Sequence, residues 1–308
     1  MKICLKILER FCKIYENMNR NIFLLWLQGW DKAPWLQKQV IKSWIINNPQ
    51  WNIELIDENN LNNYVSDINY IYDKSKKITS QAKSDIIRLS LLKKYGGVWA
   101  DSTLMCMQPL EHWVFDAISE SGIWMYHGHG GGLNSDFGPA SWFIVSEKNG
   151  YLISKWKKEC DLFWNINNKA EEYFWMDLLF KDLLAKDDKF KNKWLKTPFL
   201  YCEEIGSSHS FANYNYKIGN ETKELKEIIN IKPPYVLKLS NNLINKFRNL
   251  DSKKFKESNL AYSILMSRRQ FIYKHQFKSP VSIKPPIKEN PLFIRFLVRT
   301  IKKIIKIL

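Results

Sequence analysis

Long apolar runs are missing from this 308-residue chain. No stretch approaches the roughly 20 residues needed to cross a bilayer, so a spanning segment is not expected. An export-signal core is missing too, because Lys2, Lys6, Glu9, Arg10 and Lys13 interrupt the apolar residues of the opening segment. Cysteine is scarce: Cys4, Cys12, Cys106, Cys160 and Cys202 include no Cys-x-x-Cys pair, and no histidine cluster has zinc spacing. That argues against a disulfide scaffold or a structural zinc site and makes a reducing cytosol the natural compartment. Internal repeats and recognisable nucleic-acid modules are absent as well. Acidic residues are outnumbered, 31 Asp and Glu against 47 Lys and Arg, and the formal charge of +16 favours anionic partners without choosing among them.

What the chain does have is apolar and aromatic bulk. Hydrophobic residues make up 45%, enough for a substantial core, and 13 Trp, 14 Tyr and 17 Phe suit flat-faced ligands or close packing. For any single Trp, packing is the plainer reading. Residues 21–28 read as a buried first strand. Ala33-Pro34 then signals a helix start, and Val40, Ile41, Trp44 and Ile45 recur at helical spacing until Asn47-Asn48-Pro49. Residues 51–57 alternate apolar and polar and end on Asp57, as a half-buried strand does. A helix over 79–95, stopped by Gly96-Gly97, leads into a short strand, Val98 to Asp101. Strand, helix, strand, helix, strand is the pattern of an α/β sheet with crossover helices. Further strands are expected over 122–126 and 141–146, flanking a glycine-rich loop with His127 and His129, and 150–190 reads as largely helical. The domain plan is an amphipathic segment over 1–18, a main domain over 19–280 and a basic amphipathic tail over 281–308.

The stretch 80–103, SQAKSDIIRLSLLKKYGGVWADST, concentrates the chemistry. Asp85 and Arg88 stand three residues apart on a helix and so share a face. A carboxylate there can hold sugar or ribose hydroxyls, and a guanidinium can hold sugar oxygens or phosphate; the plain alternative is an intrahelical ion pair. Gly96-Gly97 ends the helix and lets the next strand start tightly behind it. Asp101 is thereby brought near the Asp85 and Arg88 face, at the carboxyl edge where open α/β sheets bind ligands.

The whole segment resembles the S-D-x-x-R…G-G-x-[YW]-x-D pattern of sugar transferases with a D-x-D region, and most closely the capsular polysaccharide synthesis glycosyltransferases. Leu25 to Pro34 (LWLQGWDKAP), Ser43-Trp44, Asn48-Pro49, Trp51 and Trp142-Phe143-Ile144 also look like that family. The resemblance covers roughly 20–240 and implies a GT-A-like (Rossmann-like) α/β nucleotide-sugar-binding fold with a mixed central sheet and added C-terminal helices. It implies that Trp26 lines the base site with Gln28 beside it, that Asp85 meets the ribose or the donor sugar, that Arg88 meets the sugar or the diphosphate, and that Asp101 meets ribose and a divalent metal. The donor would be a UDP-sugar, the metal Mn²⁺ or Mg²⁺, and the acceptor a polysaccharide or lipid-linked oligosaccharide of a bacterial capsule or surface glycan, with retained configuration. Thr103 stands where the pattern has its second acid. Hard cations often keep waters and use one or two carboxylates, so Asp101 with a Thr103 or Ser102 hydroxyl nearby remains a metal site on this reading; a lysine-assisted, metal-free site is the alternative.

Asp177, among large aromatics on a helix, is a candidate for acceptor or sugar, since a desolvated acid in a cleft is a functional signal. His127, His129 and His209 are weaker ones. Competing readings are a basic nucleic-acid-binding protein, whose binding would be strongly salt-dependent and indifferent to Asp85→Ala, and an inactive membrane-associated scaffold. No nucleic acid is expected as a partner.

In the tail, Leu292, Phe293, Phe296, Leu297, Ile301, Ile304, Ile305 and Leu308 form a helical stripe beside Arg295, Arg299, Lys302, Lys303 and Lys306. Such a helix can lie in the headgroup layer, each cation adding about 1 kcal/mol at an anionic surface, which makes the expected location cytoplasmic and peripheral on the inner membrane face. Deleting 291–308 should weaken co-sedimentation with anionic vesicles and leave donor hydrolysis in place; intact protein that stays fully soluble in a low-salt lysate would argue against an anchor.

Overall fold

In the computed structural model, the described residues are 19–128, 139–202, 234–239 and the strand Val281–Ile283. The amphipathic opening, His129, His209 and the tail stripe lie outside them. Among the described residues eight strands are present: β1 Asn21–Leu25, β2 Asn52–Ile56, β3 Gly97–Ala100, β4 Leu104–Cys106, β5 Ile123–Tyr126, β6 Ala140–Ser146, β7 Val236–Lys238 and β8 Val281–Ile283. The helices are α1 Trp35–Asn47, α2 Leu61–Tyr64, α3 Ser80–Tyr95, α4 Val114–Ile118, α5 Tyr151–Ile166, α6 Trp175–Lys186 and α7 Asp188–Trp194. The central sheet runs β5-β6-β3-β1-β2-β8, and β4 pairs with β7 in a small second sheet. Strands β1, β2 and β3 are parallel, while β5, β6 and β8 join antiparallel, so the sheet is mixed.

The alternation of side chains along a strand sorts the core onto two faces. Ile22, Leu24, Val98, Ala100, Phe143 and Val145 pack with α1, whereas Phe23, Leu25, Trp99 and Ile144 pack with α3 and α5. Helix α3 is buried over most of its length, at Ala82 and from Ile86 to Leu92. One side covers the sheet and the other meets α5. That double burial explains why its sequence lacks a clean apolar stripe. Thr79 caps its start, its Oγ accepting from the Ala82 N–H at 3.1 Å. At its end the Gly96 N–H donates to Leu92 O at 2.8 Å with φ +68°, and Gly97 opens β3 at φ +95°.

Sequence and structure agree on the order of these elements and differ at their edges. The first strand stops at Leu25 rather than 28, because Trp26 begins a turn closed by the Gly29 N–H on Trp26 O at 3.0 Å. Just past the boundary drawn at 280, Val281–Ile283 pairs antiparallel with β2. Most tryptophans pack: Trp30, Trp44, Trp51, Trp99, Trp124, Trp156 and Trp164 are fully buried. Among the described residues no helix is long and apolar enough to cross a membrane.

Gly97 is the tightest point of the α3 to β3 connection, since an added Cβ would stand 2.5 Å from Asn21 O. With positive φ as well, Gly97→Ala should destabilise the fold by about 1–3 kcal/mol in urea unfolding. An unchanged midpoint would mean that this connection is not the constraint it looks to be.

Candidate functional site

Parallel neighbours β1 and β3 both end at one edge of the sheet, and each continues into residues that line a single cleft of about 430 Å³. Trp26, Leu27 and Gln28 come from β1, and Asp101, Ser102 and Thr103 from β3. Helix α3 adds Ser80, Gln81, Ser84, Asp85 and Arg88, and β6 adds Ser141 and Trp142. The approach to α6 adds Tyr173, Phe174 and Asp177, and β7 adds Lys238. Of the residues singled out from the sequence, Trp26, Gln28, Asp85, Arg88, Asp101, Thr103 and Asp177 line the same space.

Arg88 is the hub. Only 6% exposed, it donates through Nη1 to Ser141 O at 2.9 Å and Ser141 Oγ at 3.0 Å. Through Nη2 it reaches Ser84 Oγ at 3.3 Å, Asp85 Oδ1 at 3.2 Å and Asp101 Oδ1 at 3.3 Å. The intrahelical pair read from the three-residue spacing thus exists, as one arm of a larger network. Among the described residues its Nε has no hydrogen-bond partner. The guanidinium also lies over the Trp99 ring, 5.2 Å from its centroid.

Asp101 follows Trp99 by two residues and so shares its face of β3. The Trp99 Nε1–H donates to Asp101 Oδ1 at 3.0 Å, and Lys238 Nζ stands 2.9 Å from Oδ2. Burial would raise its pKa, but Lys238 and Arg88 outweigh burial and hold the carboxyl below its ordinary range. Asp85 and Asp177 go the other way. Burial pushes Asp85 up to about 6, against the pull of Arg88 and with some help from Asp101. Asp177, 6% exposed and with no hydrogen-bond partner for Oδ1, is pushed up to about 7 by burial, with the Asp85 carboxylate adding to the effect. His127 is not in the lining; it packs against Trp194 and Phe199, with ring centroids 4.8 and 4.5 Å away, and burial lowers its pKa to about 4.

The expectation of a metal on Asp101 meets an obstacle. Both of its oxygens are engaged by cations, and Thr103 offers a hydroxyl where a second carboxylate would stand. Among the described residues no group of three or more His, Cys, Asp and Glu could hold a metal ion. At about 4 Å and an effective dielectric near 20, Asp101 would attract a dication by on the order of 8 kcal/mol, and Lys238 would repel it by as much. The donor set as arranged does not fit a metal held through Asp101. Lys238 itself is the residue that sequence reasoning missed. The signal was slight: a short apolar run, Tyr235 to Leu237, ending on Lys238 after the Pro233-Pro234 break.

An α/β sheet whose parallel strands end on a cleft of interlocked carboxylates and cations, flanked by indoles, defines a class: a protein that holds a small polar ligand at its carboxyl edge. The chain belongs to the family of capsular polysaccharide synthesis proteins, a sequence model of which matches residues 6–232. It is similar to glycosyltransferase afumC of Aspergillus fumigatus (strain CBS 144.89 / FGSC A1163 / CEA10), 26% identical over 125 residues, or 37% of this chain and 32% of that protein. It is likewise similar to O-glycosyltransferase braB of Annulohypoxylon truncatum, 26% identical over 115 residues, or 33% and 27%. The matched part thus spans between about a quarter and a third of the length of these curated relatives. Among solved structures, the PaToxG glycosyltransferase aligns at 17% identity and TM-score 0.38 over 63% of this chain and 82% of that one. The apo form of glycosyltransferase GlyE from Streptococcus pneumoniae TIGR4 aligns at 16% and 0.41 over 81% and 62%.

Asp85 and Asp177 bind their protons more tightly folded than unfolded. Their contribution to stability is complete below about pH 4 and is lost as pH rises through about 6 and about 7. Asp177→Asn, neutral throughout, should therefore raise the unfolding free energy at about pH 8 by a few kcal/mol. Denaturant titrations should show that gain shrinking steadily towards about pH 4; a pH-independent gain would contradict the linkage.

Proposed function

We propose that the protein is a glycosyltransferase whose cleft binds a nucleotide sugar, a UDP-sugar first among candidates, and passes the sugar to a glycan or lipid-linked glycan acceptor. The observation that carries this reading is the convergence of Asp85, Arg88 and Asp101 with Trp26 on one cleft at the sheet edge. Family membership and the names of the two curated relatives support it.

Each part of the cleft has work it can do. The half-buried Trp26 indole offers a face for the base, with the exposed Gln28 amide beside it. Asp85 and Asp177 offer sugar hydroxyls an acceptor when ionised and a donor when protonated. Arg88 fixes the two carboxylates of the motif in register and adds a positive charge beside the phosphates. In the transfer, the bond between the sugar C1 and the diphosphate oxygen breaks, with its electron pair leaving on that oxygen. The acceptor hydroxyl oxygen bonds to C1, and its proton passes to the departing phosphate. With attack on the same face that the leaving group quits, configuration is retained and no separate base is required. The negative charge that develops on the diphosphate needs cationic stabilisation, commonly the largest catalytic contribution.

A nucleic-acid reading has the overall charge alone in its favour. A capsule or surface-glycan acceptor, and a station at an anionic cytoplasmic membrane face reached through the basic tail, complete the reading.

With a nucleotide sugar identified by thermal stabilisation across a donor panel, Asp85→Ala and Asp101→Asn should each reduce turnover by at least about 100-fold while the variants remain folded by circular dichroism. Undiminished turnover in both variants would refute the site.

A further inference from the structure

Lys238 lies six residues beyond the stretch that the family model matches, yet it lines the cleft and is bonded to Asp101. Three contacts fix it. Its strand pairs antiparallel with β4, Lys238 opposite Leu104. The next residue closes the register, the Leu239 N–H donating to Thr103 O at 3.0 Å. Its ammonium stands 2.9 Å from Asp101 Oδ2 and 5.5 Å from the centroid of the Trp142 ring. The strand after Asp101 and the strand bearing Lys238 are thus stitched together at Thr103, the position without the second acid. An ammonium carries three N–H donors, of which the contact to Asp101 uses one. The side chain keeps 21% of its surface exposed, on the cleft.

We infer that Lys238 stands in for a divalent cation: anchored by Asp101, its ammonium binds the diphosphate of the donor directly, so donor binding and transfer need no metal. The inference rests on the nucleotide-sugar reading above. The charge logic is that of a metal site with one substitution. A D-x-D pair holds a dication that bridges to phosphate; here one aspartate holds a monocation that does so, and Thr103 in place of the second acid leaves no carboxylate opposing the phosphate from that side. During transfer the ammonium keeps its protons and donates hydrogen bonds to the diphosphate as C1 departs, stabilising the new charge without taking part in proton movement.

The assignment also separates two cations that look alike in sequence. Arg88 has both of its terminal nitrogens occupied by protein groups and acts as a positioning residue. Among the described residues Lys238 has one partner carboxylate, which leaves two donors to spare, and it is the one assigned to the ligand.

The decisive experiment is calorimetric titration of the full chain with UDP, and separately with inorganic pyrophosphate, in EDTA and in saturating Mn²⁺ or Mg²⁺. Lys238→Met and Lys238→Arg are measured alongside. Binding in EDTA should match binding with metal to within about twofold, Lys238→Met should weaken it by at least about tenfold, as loss of a charge-assisted contact does, and Lys238→Arg should recover part of it. Thermal unfolding of the ligand-free variants reports separately on the strand pairing; a purely structural lysine would shift that midpoint and leave affinity alone. UDP binding that vanishes in EDTA and returns with Mn²⁺, or Lys238→Met that binds as tightly as the parent, overturns the assignment and leaves the donor reading standing. Absence of UDP and pyrophosphate binding under every condition brings down both.

Discussion

The buried guanidinium of Arg88 is the constraint on which the rest of the cleft depends. A charge that is 6% exposed is tolerable only when it is paired and most of its donors are matched, and here the two terminal nitrogens are. Here the matching groups come from α3 (Ser84, Asp85), from the end of β3 (Asp101) and from the start of β6 (Ser141). One side chain thus ties the helix to two antiparallel neighbours in the sheet. Removing it would leave two carboxylates facing each other in a partly buried space, so its presence is a condition for Asp85 and Asp101 to stand close together. The double glycine serves the same end by another route. It turns the chain from the end of α3 into β3 with no room for a side chain at Gly97, which sets how far Asp101 stands from the helix.

What could be read from the sequence is what local chemistry encodes. Thr79, the Asp85 to Arg88 spacing, Gly96-Gly97 and Asp101 lie within 23 residues of one another, and each acts through its immediate neighbours. The helix, the turn and the strand follow from them, as does their meeting at the sheet edge. Trp26 and Gln28 were implied by the family resemblance, and the parallel pairing of β1 with β3 brings the ends of both strands to the same cleft. Lys238 could not be read in this way, because the bond to Asp101 joins residues 137 positions apart through a strand of three residues after a proline pair. Ser141 escaped for a similar reason: a serine opening a strand has no pattern of its own, and only the antiparallel register of β6 on β3 brings it under Arg88. The first strand was read three residues too long because Trp26 and Leu27 continue its apolar character after the turn has begun. Asp177 shows the reverse difficulty. Its surroundings of Phe174 and Trp175 suggest burial, but no sequence rule tells whether a buried acid is satisfied, and Oδ1 is not.

The overall charge and the cleft work on different scales. An excess of +16 draws anions toward the protein, but screening at physiological ionic strength limits that pull to about 8 Å. Selection within the cleft falls to the groups at hand, which among the described residues are two cations, Arg88 and Lys238, against three carboxylates, Asp85, Asp101 and Asp177. With all three ionised the cleft would carry net negative charge and oppose a diphosphate. Two of the three, however, have pKa values raised to about 6 and about 7 by burial, so proton uptake can bring the balance to neutral or above. An arriving diphosphate would raise both further, since like charges nearby favour the neutral acid. Ligand charge and carboxyl protonation are therefore coupled in this cleft, and the same event that neutralises Asp177 turns its unpartnered oxygen into a potential hydrogen-bond donor for a sugar hydroxyl.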